Sequence, residues 1–268
     1  LPFVAPQKYW QQYDRSQIQI PPAIDQYAFV PSIALHDSRE LWSYGNLREK
    51  QSLSEEDVRD LKLGYYASIS FLDAQVGKIL DAIELGGHRD NTIVVFLSDH
   101  GFHVGERGLW GKTTNFELDA RVPFILSDPR AVGSHGKISS SLCELVDLYP
   151  TLIHLCGFQA EENQVLEGAD LSPLLKDPTI EIKPAAFTQH QHPFYGARDQ
   201  WKAVGYSIRT AQWRYTEWRA IGSKEILAKE LYDHSSDSQE LTNVSHLHPE
   251  VVNQHAIELL QQFPIHSE

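Results

Sequence analysis

The sequence predicts an α/β fold, a mixed sheet flanked by helices with a small antiparallel sheet and a packed helix at its C-terminal end, on three observations. Residues 93–97, IVVFL, form a β-branched and aromatic run too short for an amphipathic helix. Such a run reads as a strand buried on both faces, in the middle of a parallel sheet. Residues 52–85 place Val58, Leu61, Tyr65, Ile69, Leu72, Val76, Ile79 and Ile83 three or four apart, one helical stripe for that sheet. Beyond residue 184 the texture changes to short alternating runs with intervening turns, the pattern of an antiparallel sheet.

In chain order, residues 1–14 have Pro2 and Pro6 framing an extended piece before a short aromatic turn of helix. Residues 17–44 are Pro-rich with little periodicity and read as a long irregular surface excursion, common where substrate loops lie. Ser54 is the expected N-cap of the long helix, with Glu55, Glu56 and Asp57 in its first turn, and Gly86 and Gly87 stop it. Asp73 and Gln75 read as solvent-face polar groups. Residues 121–127, RVPFILS, predict a second buried strand with Pro123 at its start, where a missing donor is tolerated. Helical spacing then spans 139–156, with His154 as a core or interface histidine. Cys143 and Cys156 on that stretch read as buried small hydrophobes rather than a disulfide or a metal pair. A boundary within 176–184 would divide a large α/β domain, 1–180, from a small α+β domain, 181–268. The small domain's strands are expected at 185–189, 203–210, 213–219 and 230–233, before a closing helix at 248–263.

Composition narrows the function classes. With 23 basic against 36 acidic residues the net charge is −13, which argues against nucleic acid and against an anionic membrane surface as partners. No apolar run approaches the roughly 20 residues of a membrane span, and no signal segment opens the chain. Leu1 and the absence of any Met imply a processed, excised or truncated product.

Chemistry concentrates after residue 97. Asp99 and His100 stand where the strand ends, the edge at which open α/β sheets bind ligands. Gly101, Gly105, Gly108 and Gly111 mark the following stretch as a loop, expected to bring His103, Glu106, Arg107 and Lys112 to one rim. Taken alone, Asp-His-Gly could equally be a helix cap and turn.

The longer run SDHGFHVGERGLWGKTTNFE, residues 98–117, closely resembles the type I, formylglycine-dependent sulfatases of the alkaline phosphatase superfamily, especially their iduronate-2-sulfatase-like branch. That resemblance implies an alkaline-phosphatase/sulfatase-like form of the α/β fold, with Asp99 and His100 as calcium ligands and Lys112 holding a sulfate oxygen. Calcium prefers oxygen donors, so Asp99 is a natural ligand, while His100 rests on the resemblance. Lys112 suits a tetrahedral oxyanion because an ammonium is a compact charge with three rotatable donors. Phe102 and Trp110 read as packing or as walls of a substrate pocket. Residues 146–151, VDLYPT, resemble a structural helix of the family, and residues 1–14 resemble the segment following its Lys-Pro-His motif.

The implied activity is hydrolysis of a sulfate ester on a sulfated saccharide, a uronate 2-O-sulfate or similar, in a periplasmic, lysosomal or extracellular setting. Neither cysteine stands in the Cys-x-Pro-Ser-Arg or Cys-x-Ala-x-Arg context that makes formylglycine. The nucleophile and the paired Asp ligands of the calcium would therefore lie before Leu1, on an N-terminal segment or chain that partners this one. Residues 190–202, HQHPFYGARDQWK, read either as a transition-metal pair at His190 and His192 or as a substrate-lining loop. In the latter, the resemblance puts Lys202 on a sugar carboxylate, with Arg198 a second candidate. Asn243-Val244-Ser245 is a lone glycosylation triplet. A phosphodiesterase or phosphonate hydrolase of the same superfamily and a noncatalytic fragment of the fold remain alternatives. An unrelated α/β hydrolase is disfavoured by the lack of a Gly-x-Ser-x-Gly elbow.

Overall fold

A computed structural model describes residues 2–22, 24–45, 47–159 and 164–264. The first elements are two single-turn helices, α1 (Gln7–Trp10) and α2 (Arg39–Trp42), joined by irregular chain with 3-10 turns. They lead to the long helix α3 (Glu55–Leu85), whose first turn is closed reciprocally by a capping box. The Asp57 amide donates to Ser54 Oγ, while the Ser54 amide donates to the Asp57 carboxylate. The first half of α3 is covered: Gly64 accepts the edge of Trp10, and Val58, Leu61 and Tyr65 join a core built around Leu41, Tyr44, Leu47, Val104 and Trp110. Its second half is not, and Ile79 is 61% exposed.

Strand β1 (Val94–Leu97) departs from expectation. It pairs antiparallel with β4 (Phe124–Ser127), Val95 opposite Leu126, and among the described residues these two strands form a sheet of their own. All four residues of β1 are half-buried rather than buried, and β4 alternates between half-buried and exposed. The apolar run makes a strand but finds only one neighbour. Between the two strands lie the two-residue β2 (His103–Val104) and β3 (Trp110–Gly111), paired antiparallel, and the single-turn α4 (Glu117–Ala120).

The predicted 139–156 helix is shorter, α5 (Leu148–Leu155), preceded by a 3-10 turn, Leu145–Asp147. Pro150 falls in its first turn, where a missing amide costs nothing. His154 is exposed, its Nδ1 3.2 Å from Asp170 Oδ2, which excludes the core half of the core-or-interface expectation. Both cysteines are free; Cys143 is half-buried, but Cys156 is exposed, against the expectation of two buried hydrophobes.

The C-terminal sheet matches its prediction. Strands β5 (Ala185–His192), β6 (Ala203–Thr210), β7 (Trp213–Ala220) and β8 (Ile226–Asp233) form an antiparallel meander, with α6 (Pro249–Gln262) on one face. Ile208, Tyr215 and Leu231 pack against Val252 and Leu259 of α6. The other face meets the 98–120 loop: Trp218 and Tyr232 share a core with Leu109 and Phe116. The approach is so close at Gly205 that a Cβ there would stand 2.9 Å from both Trp218 and the Asn115 amide. No helix among the described residues is long and apolar enough to cross a membrane.

Candidate metal and oxyanion site

The Asp99–His100 turn is fixed from both sides. Ser98 Oγ donates to the His100 carbonyl at 2.7 Å, and the Gly101 and Phe102 amides donate to the carbonyls of Asp119 and Leu118 at 2.8 and 3.0 Å. Gly101 must be glycine, since a Cβ there would lie 1.8 Å from the Leu118 carbonyl oxygen.

This turn decides the histidine's chemistry. His100 Nδ1 is 2.7 Å from the Gly101 carbonyl, which can only accept, so Nδ1 carries the proton and Nε2 presents its lone pair. That Nε2 lies 3.7 Å from Asp99 Oδ2, on a side chain 84% exposed. A carboxylate oxygen and an imidazole lone pair thus face one accessible point. The donor set fits a divalent cation as two ligands of an incomplete shell, since calcium takes six to eight.

The lysine is held nearby. Register pairs His103 with Gly111, so the β2–β3 ladder folds the loop back and brings Lys112 Nζ to 6.0 Å from the Phe102 ring. Lys112 also meets Glu40 of α2, Nζ to Oε2 2.5 Å, with both side chains partly open to solvent. Phe102 stacks on Tyr65 with centroids 5.8 Å apart. Tyr195 joins from the 193–202 loop: its hydroxyl is 4.0 Å from where a Gly111 Cβ would stand, and the Arg39 guanidinium lies 5.8 Å over its ring. Burial pushes the Tyr195 hydroxyl pKa up.

The remaining predicted residues divide between buried and exposed positions. Trp110 is buried in the α3 core. Arg198 and Lys202 are exposed later in the 193–202 loop; Arg198 lies 5.9 Å over Trp201, and the Lys202 amide donates to the His192 carbonyl. His190 and His192 both pack on Phe194, and burial lowers both their pKa values. His103 and Arg107, expected on the rim, are 0% and 2% exposed. His103 turns inward to Asp119, and Arg107 caps the carbonyls of Gln239 and Glu240 beneath the Phe116 ring. Their polarity suggested a rim, but each finds a buried acceptor distant in sequence. Asn243 is likewise consumed, its side chain accepting from Leu231 and Ser245 amides and donating to the Phe29 and Lys229 carbonyls.

A second acidic group, Glu117, Glu240 and His234, brings ligand-type atoms within 4.8 Å of one another. It is already neutralised: Arg214 binds both carboxylates, Arg209 binds Glu117, and Arg107 lies 3.8 Å from Glu240. Burial alone would raise the Glu240 carboxyl, but Arg214, His234 and Arg107 outweigh it and hold the pKa at about 2. This is an ion cluster tying the loop to the sheet.

The sulfatase family pattern matches residues 3–158, and the pattern described as N-sulphoglucosamine sulphohydrolase, C-terminal, matches residues 105–263. The chain belongs to the sulfatase family. It is 28% identical to iduronate 2-sulfatase of Mus musculus, across 91% of this chain and 55% of that protein. With choline-sulfatase of Rhizobium meliloti (strain 1021) it shares 32% identity, across 91% of this chain and 44% of the relative. The sulfatase chain therefore spans about half the length of these curated relatives. Among solved structures, phosphonate monoester hydrolase of Agrobacterium radiobacter superposes with a TM-score of 0.81 at 24% identity, over 97% of this chain and 54% of that one. A protein solved with its substrate D-glucosamine-2-N,6-O-disulfate gives 0.73 at 20% identity, over 97% and 63%. These two likenesses concern the fold.

The residues that sequence reasoning missed are Glu40, Tyr195 and Asp119. Glu40 lies 72 positions from its partner Lys112, and no spacing announces it.

Proposed function

We propose that this chain carries the metal-binding and oxyanion-holding half of a sulfate ester hydrolase acting on a sulfated saccharide, a uronate 2-sulfate or similar. In this reading the nucleophile, a formylglycine, and further metal ligands come from an N-terminal segment outside this sequence. The observation that carries it is the His100 tautomer, whose free Nε2 faces Asp99 Oδ2, beside Phe102 and Lys112 in one folded loop. Family membership and the half-exposed β1 and α3 faces support the remainder, since an apolar strand and stripe left half-covered suit a further layer. We place the reaction in the periplasm, the lysosome or outside the cell, as the resemblance implies.

Calcium held by Asp99 and His100 would supply positive charge against the oxygens of the sulfate. The chain's own contribution is positional and electrostatic. Lys112 donates to a sulfate oxygen and must share its ammonium with Glu40, so binding substrate loosens the Lys112–Glu40 pair. Lys202 and Arg198, both exposed, meet the anionic periphery of the saccharide, and Tyr195 walls the site beside Gly111. Local cations matter here because the whole chain is acidic, at −13.

The test compares Asp99→Ala and Lys112→Ala in the full-length protein. Asp99→Ala loses calcium in titration calorimetry, whereas Lys112→Ala retains calcium and loses turnover of a sulfated saccharide by roughly 100-fold or more. Equal loss of metal in both would sink this division of roles. Since Lys112 meets any tetrahedral oxyanion alike, a phosphonate or phosphodiester substrate is the second reading. Parallel turnover of sulfate and phosphonate esters separates the two.

A further inference from the structure

We infer that Asp119 is the positioning residue that sets Lys112 against the metal-binding turn, with His103 holding its carboxylate in place. The inference rests on the reading above for what those two arms do, but not for how they are joined.

Asp119 receives both arms of the loop through different atoms. Its backbone carbonyl accepts the Gly101 amide at 2.8 Å, next to His100. Its Oδ2 accepts the Thr114 amide at 2.8 Å and the Thr114 hydroxyl at 2.6 Å, two residues after Lys112. The remaining Oδ1 is 3.1 Å from His103 Nδ1, which carries its proton toward the carboxylate. The His103 backbone lies opposite Gly111 in the β2–β3 ladder, so the residue whose ring meets Asp119 is also paired with the residue before Lys112. Both side chains are buried, His103 completely, and neither can reach a substrate. Gly101, His103 and Thr114 are therefore all held by one residue on a single turn of helix.

The division between backbone and side chain makes a specific prediction. Removing the Asp119 side chain leaves the carbonyl that holds Gly101, so the metal-binding turn stays and only the lysine arm is released. Misplacing a charged group by an ångström costs on the order of 100-fold in rate.

The experiment uses the full-length protein with Asp119→Ala, Asp119→Asn and Leu231→Ala, the last lowering stability from the core of the C-terminal sheet. In native-state amide exchange, Asp119→Ala exposes the Thr114 amide by about 10-fold or more while Gly101 and Phe102 keep their protection. Turnover falls about 10- to 100-fold in kcat with KM and calcium affinity held within about 3-fold. Asp119→Asn, which keeps an acceptor for Thr114, recovers most of the lost rate, and Leu231→Ala leaves kcat unchanged. Unchanged Thr114 protection in Asp119→Ala overturns the inference, as does a calcium affinity that falls as steeply as kcat. If the wild-type protein neither binds calcium nor cleaves a sulfate ester, the functional reading fails. Thr114 exchange still reports on Asp119 in that case, so the two failures are distinguishable.

Discussion

Strand β1 reads Val-Val-Phe-Leu and stays half-exposed along its length, whereas β7 reads Trp-Arg-Tyr-Thr-Glu-Trp-Arg-Ala and buries six consecutive residues. Hydropathy ranks the two the wrong way round. What separates them is partnering. β1 has one described neighbour, while β7 lies between β6 and β8 with α6 on one face and the 98–120 loop on the other. The buried polar side chains of the C-terminal sheet find specific partners. Arg214 spans Glu117 and Glu240, Arg219 donates to Glu217 at 2.7 Å, and Glu230 accepts from Trp218 Nε1 at 2.8 Å and the Tyr232 hydroxyl at 2.7 Å. The sheet with more neighbours holds charged residues on buried partners; the two-stranded one is apolar and stays half-exposed.

The largest effect is expected from breaking that matching. Arg214→Ala leaves Glu117 and Glu240 facing each other in a buried cluster, and removing one member of a buried pair costs about 3–5 kcal/mol. A urea unfolding midpoint measures it, and a loss below about 1 kcal/mol would mean that the cluster is not what ties the loop to the sheet.

A smaller effect sharpens the comparison within the second sheet. Glu230, buried between Trp218 and Tyr232, has its pKa pushed up to about 7 by that burial, while Glu240 is held at about 2. A folded-state pKa above the unfolded value gives stability that is full below pH 4.5, the unperturbed value, and is lost as pH rises through about 7. Glu230 therefore lowers stability by on the order of 3 kcal/mol across that window. The Glu240 contribution has the opposite sign, present above pH 4.5 and lost as pH falls through about 2. Glu230→Gln, which cannot titrate but gives up one accepted hydrogen bond, should flatten the window between pH 4.5 and 7 in thermal unfolding. An unchanged pH slope would mean that Glu230 is not the group responsible.

Legibility followed the same line. The long helix, its Ser54 cap and the four strands of the C-terminal sheet were readable because local signals, capping residues and alternation determine them. Asp99, His100 and Lys112 were readable as a motif within 14 positions. What stayed hidden depends on distant contacts. Nothing local says that His103 turns inward to Asp119, that Glu40 meets Lys112, or that Arg107 ends under Phe116. The parallel, doubly buried environment expected for β1 failed for a related reason: an apolar run states what a strand could bury, not what lies beside it.

The central claim, half of a site on this chain and the nucleophile on another segment, is tested most directly by sulfate ester turnover. Turnover would be measured on this chain alone and after combining it with the N-terminal segment of the same protein. The account predicts no turnover by the chain alone and calcium-dependent turnover by the combination, lost in Lys112→Ala. Turnover by the chain alone would contradict it, because the nucleophile would then lie among these 268 residues.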